Sequence, residues 1–132
     1  DTESEQYIPP LKGKVLYAED NKNNRELVID MLRTTKVELN TVNNGEEALK
    51  KLETQSYDLI LLDFRMPIMD GMTAAKEIRK RGIETPFIAV TANIEEASYE
   101  EFKDLGFVDL IEKPFDKNIV YETLALYLLD YK

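Results

Sequence analysis

Residues 58–71 read DLILLDFRMPIMDG. Four apolar residues, Leu59 to Leu62, run without a break into a carboxylate at Asp63, and a proline and an Asp-Gly pair follow close behind. A short run apolar on both faces is the mark of a strand buried from both sides, as in the middle of a parallel sheet. Such a strand needs no acid at its tip for packing. Asp63 is therefore either a solvated end or a reactive group presented at the edge of the sheet.

The pattern spreads outward from this strand as alternating strands and helices. Before it, KVLYAED (Lys14–Asp20) is a β-rich run ending in two acids. NRELVIDMLRTTK (Asn24–Lys36) has Leu27, Val28, Met31 and Leu32 at helical spacing, which predicts one inward face. VELNTV (Val37–Val42) reads as a second strand, and NGEEALKKLETQ (Asn44–Gln55) as a helix with Ala48, Leu49 and Leu52 inward. After it, DGMTAAKEIRKRG (Asp70–Gly82) reads as a third helix with Gly82 as its C-terminal stop. TPFIAVTAN (Thr85–Asn93) is a fourth strand and IEEASYEEFKDLG (Ile94–Gly106) a polar fourth helix. FVDLIEKPF (Phe107–Phe115) carries a fifth strand and DKNIVYETLALYLL (Asp116–Leu129) a fifth helix. Five βα units predict an α/β fold, a parallel sheet with helices on both faces. With right-handed crossovers, the expected architecture is flavodoxin-like (βα)5 of strand order 2-1-3-4-5, with its site at the carboxyl ends of the first and third strands.

Composition narrows the chemistry. The 132 residues suffice for one domain. Residues 1–12 are expected to be a linker or tail, stiffened by Pro9-Pro10, and residues 13–132 the domain. No apolar run nears the roughly 20 residues of a membrane span, so no membrane contact is expected of this domain. The polar, acidic start is no signal peptide. The absence of cysteine permits a cytoplasmic location. A net charge of −9 argues against direct contact with nucleic acid. The chain also has no histidine, so any phosphohistidine in its chemistry must belong to another protein or domain.

The polar strand ends fall on one rim of the expected sheet: Glu19 and Asp20 on the first strand, Asp63 on the third, Thr91 on the fourth, Lys113 after the fifth. Two carboxylates about 4 Å apart repel by roughly 4 kcal/mol at an effective dielectric near 20. Three crowded acids therefore call for a cation or a proton. Lys113 offsets part of the charge; Mg2+, which favours oxygen ligands, would offset more. Asp63 is the candidate nucleophile, since a carboxylate attacking phosphorus forms an acyl phosphate. Mg2+, the Lys113 ammonium and the Thr91 hydroxyl could each take one phosphoryl oxygen.

Four pieces, YAEDN (Tyr17–Asn21), LLDFRMPIMDG (Leu61–Gly71), AVTAN (Ala89–Asn93) and EKPF (Glu112–Phe115), in this order and on these strand ends, make the chain resemble the CheY-like response-regulator receiver domains of two-component signalling. The resemblance covers residues 14–130. It implies that Asp63 is the phosphoacceptor, that Glu19 and Asp20 with Asp63 bind Mg2+, and that the backbone carbonyl of Arg65 completes the metal site. It implies that Thr91 is the switch hydroxyl, that Lys113 pairs with the phosphoryl group across a cis Lys113-Pro114 bond, and that small Ala92 keeps the site open. Leu110 departs from the pattern, standing where the family often has a rotating Tyr or Phe. The switch is assigned to Thr91 and Leu110, read out on the helix-4, strand-5 and helix-5 surface. AEDNKNNRELV and TAN resemble receivers of hybrid sensor histidine kinases and phosphorelays; a stand-alone regulator is the alternative. The leader suits a linker from a kinase core. The start on Asp rather than Met suits an excised piece, and no DNA-binding output domain is expected after the fifth helix. The implied partners are a histidine kinase or a histidine phosphotransfer domain. The domain would catalyse its own phosphorylation and slow dephosphorylation, and would sit in the cytoplasm, even as part of a membrane-bound kinase.

Other readings stay beside these. A Mg2+-dependent phosphohydrolase of another α/β family is the main competitor, but Arg65, two residues beyond Asp63, leaves it without a second acid. Asp70-Gly71 and Asn44-Gly45 read as turn and helix-entry chemistry. The acidic run Glu95, Glu96, Glu100 and Glu101 reads as a solvated helix face. The apolar surplus of the fifth helix (Ile119, Val120, Leu124, Leu126, Tyr127, Leu128, Leu129) is expected to be mostly core, the remainder serving docking or a weak dimer.

Overall fold

The computed structural model of the chain describes residues 11–93 and 99–128. Its strands are β1 (Lys12–Ala18), β2 (Lys36–Val42), β3 (Leu59–Asp63), β4 (Phe87–Thr91) and β5 (Phe107–Glu112). Its helices are α1 (Lys22–Leu32), α2 (Gly45–Thr54), α3 (Gly71–Lys80), α4 (Tyr99–Asp104) and α5 (Lys117–Leu128). The strands form one sheet of order β2-β1-β3-β4-β5, and every pairing is parallel. This is the flavodoxin-like order read from the sequence.

Side chains alternate across the sheet with period two. Leu16, Ala18, Ile60, Leu62 and Ala89 face one way, against Ala48 and Leu49 of α2, Ala74 and Ile78 of α3, and Phe102 of α4. Val15, Tyr17, Leu59, Leu61, Ile88 and Val90 face the other, against Val28, Met31 and Leu32 of α1 and Val120, Tyr121 and Leu124 of α5. β3 is buried at all five positions, as its apolar run requires.

Register brings the carboxyl ends level. Ala18 pairs with Leu62, Asp63 with Val90, and Thr91 with Glu112. Short polar side chains then start the helices. Asn21 accepts from the Asn24 amide, Asn44 from Glu47 and Asp70 from Thr73, each satisfying an otherwise unpaired N–H of a first turn. Asp116 Oδ1 does the same for Asn118 and Ile119 ahead of α5. Asp70 is thus a helix cap, which extends its reading as turn chemistry.

Three details differ from the periodicity. Leu27 is 42% exposed: Val28, Met31 and Leu32 already fill the stripe at i, i+3 and i+4, and Leu27 lies about 100° round the helix from Val28. Ile119 and Leu126 of α5 are exposed while Val120 and Leu124 are core, so the apolar surplus does lie on the surface. β1 opens at Lys12, behind a buried Leu11, earlier than the pattern from Lys14. Pro9-Pro10, Glu95, Glu96 and Leu129 lie outside the described residues.

Candidate functional site

The rim gathers the acids and the lysine into one cleft. Glu19, just beyond β1, and Asp63, at the end of β3, are both buried, whereas Asp20 is exposed. The three carboxyl groups offer oxygens within 4.8 Å of one another. Lys113 Nζ lies 2.9 Å from Asp63 Oδ2, and 3.1 and 3.3 Å from Glu19 Oε1 and Oε2. The Lys113-Pro114 bond is cis, and the Lys113 amide donates to the Thr91 carbonyl at 2.8 Å, which fixes where the ammonium emerges. The Arg65 amide donates to Asp63 Oδ1 at 3.1 Å. Asp63 is thus held at both oxygens, at the floor of a cavity of about 340 Å³ lined also by Asn21, Asn24, Arg65 and Ala92.

Glu19 is held more firmly still. Tyr17 donates its hydroxyl to Oε1 at 2.7 Å and the Asn21 amide donates to Oε2 at 3.2 Å. The Arg25 guanidinium donates to the Glu19 carbonyl at 2.8 Å, tying α1 back to the acid pair. Sequence reasoning missed Tyr17 and Arg25. For Tyr17 a signal was there: it precedes Glu19 by two residues, and period two points both side chains to one side of the strand.

The remaining candidates sit differently. Thr91 is buried, and its hydroxyl oxygen accepts from the Asn93 amide at 3.1 Å. Leu110 is half-buried and packs with the core cluster containing Phe64 and Phe107. Neither is among the residues lining the cleft.

Electrostatics follow from crowding. Burial raises the Asp63 pKa to about 7, and the hydrogen bond with Glu19 pushes the same way while Lys113 opposes. Burial works against the Glu19 charge too, but bonds from Asp63, Tyr17 and Lys113 outweigh it and hold that carboxyl below its ordinary range. Burial would lower Lys113, yet its contacts with Asp63 and Glu19 raise it. Of the buried pair, Asp63 is therefore the acid that takes a proton more readily. With all three acids ionised, one ammonium leaves a local excess of two negative charges. An all-oxygen donor set with that excess has the chemistry of a hard divalent-cation site.

The family model for the response regulator receiver domain matches residues 15–125. The chain belongs to this family. Receiver domains are components of two-component systems, and relatives span several contexts. The chain is 36% identical to the transcription factor SKN7 of Candida albicans, over 95% of this chain and 22% of that protein. It is 35% identical to hybrid signal transduction histidine kinase L of Dictyostelium discoideum, over 95% of this chain and 8% of the kinase. It thus spans a small part of the curated relatives it matches. Among solved structures, the receiver domain of the sensor histidine kinase PA1611 of Pseudomonas aeruginosa, which has a magnesium ion coordinated in its active-site cleft, superposes with a TM-score of 0.79 at 34% identity, covering 88% of this chain and 97% of that one. Among the described residues, no helix of this receiver is long and apolar enough to cross a membrane.

Proposed function

We propose that Asp63 is the phosphoacceptor of this receiver, taking a phosphoryl group from a phosphohistidine of a histidine kinase or histidine phosphotransfer domain. The observation that carries this reading is the setting of the Asp63 carboxylate. It lies at the floor of an open cleft, with an ammonium at 2.9 Å on one oxygen and a backbone amide on the other. In the transfer, an Asp63 oxygen forms a bond to phosphorus as the P–N bond breaks, and the imidazole nitrogen leaves with the electron pair. Phosphoryl transfer asks the protein chiefly for positioning and neutralisation. Lys113 is placed to follow the charge from the carboxylate onto the phosphoryl oxygens. Thr91, on the neighbouring strand, is the hydroxyl assigned to meet another of them, so the switch would pass from Thr91, with Leu110, to the α4, β5 and α5 surface.

Glu19, Asp20, Asp63 and the Arg65 carbonyl would hold Mg2+, which when bound supplies a compact positive charge for the phosphoryl oxygens. The chain provides the oxygens, and Lys113 and the Asn21 amide keep the acids oriented. The parent protein would be a hybrid histidine kinase working on the cytoplasmic side, in keeping with the kinase relatives.

Incubation with Mg2+ and acetyl phosphate, followed by intact mass measurement, tests the assignment. One phosphoryl group per chain is expected in the wild type and none in Asp63→Asn. Steady release of phosphate with little adduct would instead mark a hydrolase.

A further inference from the structure

Tyr17 is fully buried in β1, and the chemistry above gives it no task. A purely apolar residue would fill that place between β2 and β3 without needing a partner for a hydroxyl. The Tyr17 hydroxyl finds one in Glu19 Oε1, at 2.7 Å. Its ring meets Phe115 edge-on, with centroids 6.4 Å apart at 82°. Phe115 follows Lys113 by two residues, across the cis bond. Tyr17 therefore touches both arms of the cleft: the acid arm through its hydroxyl and the lysine arm through its ring.

We propose that Tyr17 is a positioning residue for the phosphoryl-transfer site, holding the Glu19 carboxylate in place while Lys113 changes partners. Four groups hold Glu19: the Tyr17 hydroxyl, the Asn21 amide, the Lys113 ammonium and the Asp63 carboxyl. Lys113 bonds Asp63 as well, and any phosphoryl group built on Asp63 competes for it. A carboxylate that is fully buried cannot turn to water when its cation shifts away, and an uncompensated buried charge is strongly destabilising. Tyr17 and the Asn21 amide are the partners that stay. Glutamate also has one more rotatable bond than aspartate, so its carboxylate needs an anchor to present a fixed oxygen to a metal ion. Groups that orient metal-binding carboxylates act on affinity from one bond away.

This inference rests on Asp63 being the acceptor, and the experiment separates the two. Tyr17→Phe keeps the ring, its packing and the Phe115 contact, and loses only the donor. Tyr121→Phe is the matched control: it removes another buried hydroxyl, bonded to the Met31 carbonyl at 2.6 Å, on α5. Mg2+ binding to the unphosphorylated protein is measured by isothermal titration calorimetry, alongside initial rates of phosphorylation by acetyl phosphate across a Mg2+ series. Tyr17→Phe is expected to raise the half-saturating Mg2+ concentration roughly 10-fold, with a smaller effect on the rate at saturation, while Tyr121→Phe matches the wild type. On a Glu19→Ala background, Tyr17→Phe is expected to add nothing. Wild-type Mg2+ dependence in Tyr17→Phe, or an undiminished effect without Glu19, would overturn the positioning role. Should Tyr17→Phe not fold, Glu19→Asp, which draws the carboxylate back from the hydroxyl, is expected to show the same rise, and an unchanged half-saturation there would count against the role equally. A wild type that takes up no phosphoryl group would fail the Asp63 reading instead.

Discussion

Asp63 carries its charge at a cost, and that cost sets a pH dependence. Burial and Glu19 raise its pKa to about 7 from an ordinary 3.8. Below pH 4 the folded and unfolded chains both hold this proton. Between about pH 4 and 7 the folded chain keeps it while the unfolded chain releases it, so this group's contribution to stability falls as pH rises. Glu19, lowered by its partners, has the opposite sign and adds stability above its unfolded value. A tenfold change in proton affinity on folding is worth about 1.4 kcal/mol, and the two contributions partly cancel. In the absence of divalent cations, Asp63→Asn is therefore expected to be more stable than the wild type by roughly 1–3 kcal/mol near pH 8, the gap closing towards pH 4. Urea unfolding at both pH values checks it; equal stability near pH 8 would mean that Lys113 compensates the pair in full. At this scale the sequence marked the polar residues that close apolar runs, and Glu19, Asp63 and Lys113 among them do meet in one cleft. At Tyr17 the period-two link to Glu19 was there to read, but a tyrosine inside a strand reads as core. Which acid of the buried pair takes a proton more readily was not legible, since it depends on contacts near 3 Å between residues as distant in sequence as Glu19 and Lys113.

Among the elements, the link between β3 and α3 is fastened at two points. The Gly71 amide donates to the Phe64 carbonyl at 3.2 Å, and the Gly45 amide donates to the Met69 carbonyl at 2.9 Å. A Cβ on Gly71 would collide with the Asp63 carbonyl oxygen, and one on Gly45 would lie 2.8 Å from that of Met69. The first turns of α2 and α3 thus clamp the loop after Asp63 from two sides. Gly71→Ala must push the Asp63 backbone aside, so it is expected to cost about 1–3 kcal/mol and to slow phosphorylation. Gly82 offers the contrast. Its φ of +80° penalises a side chain, but no atom lies within 4 Å of a Cβ there. Gly82→Ala is expected to lose roughly 1–2 kcal/mol and to phosphorylate at the wild-type rate. Urea melts paired with acetyl phosphate kinetics distinguish the two variants. The Asp-Gly pair announced a turn in the sequence, but the carbonyl behind Gly71 is a tertiary neighbour that no local pattern records. The same holds for Leu27: helical spacing put it on the inward face with Val28, Met31 and Leu32, yet those three are buried and Leu27 is 42% exposed.

For the whole molecule, strand order gathers a scattered set of residues into one acidic cluster. Order 2-1-3-4-5 makes β1 and β3 neighbours, and the parallel register brings their acid-bearing ends level. That much was readable from the βα alternation, since right-handed crossovers leave few other arrangements. Mg2+ bound there, as proposed, would compete with a proton for the same oxygens. Below about pH 7 Asp63 holds a proton, which Mg2+ must displace, so the apparent affinity should fall by up to about tenfold per pH unit. Binding to the folded state alone stabilises by about 1.4 kcal/mol for each tenfold excess over the dissociation constant. The rise in melting temperature on adding Mg2+ is thus expected to be large near pH 8 and to vanish near pH 5.5. The net charge of −9 draws cations to the whole surface as well, but that attraction is screened by salt. Differential scanning fluorimetry at fixed, high ionic strength, with Mg2+ balanced against KCl, isolates the site. Asp63→Asn, which has no proton to give up at that position, should show a much flatter pH response. A Mg2+ increment of equal size at pH 5.5 and pH 8 in the wild type would assign the effect to general charge screening and remove the Glu19–Asp20–Asp63 cluster as its origin.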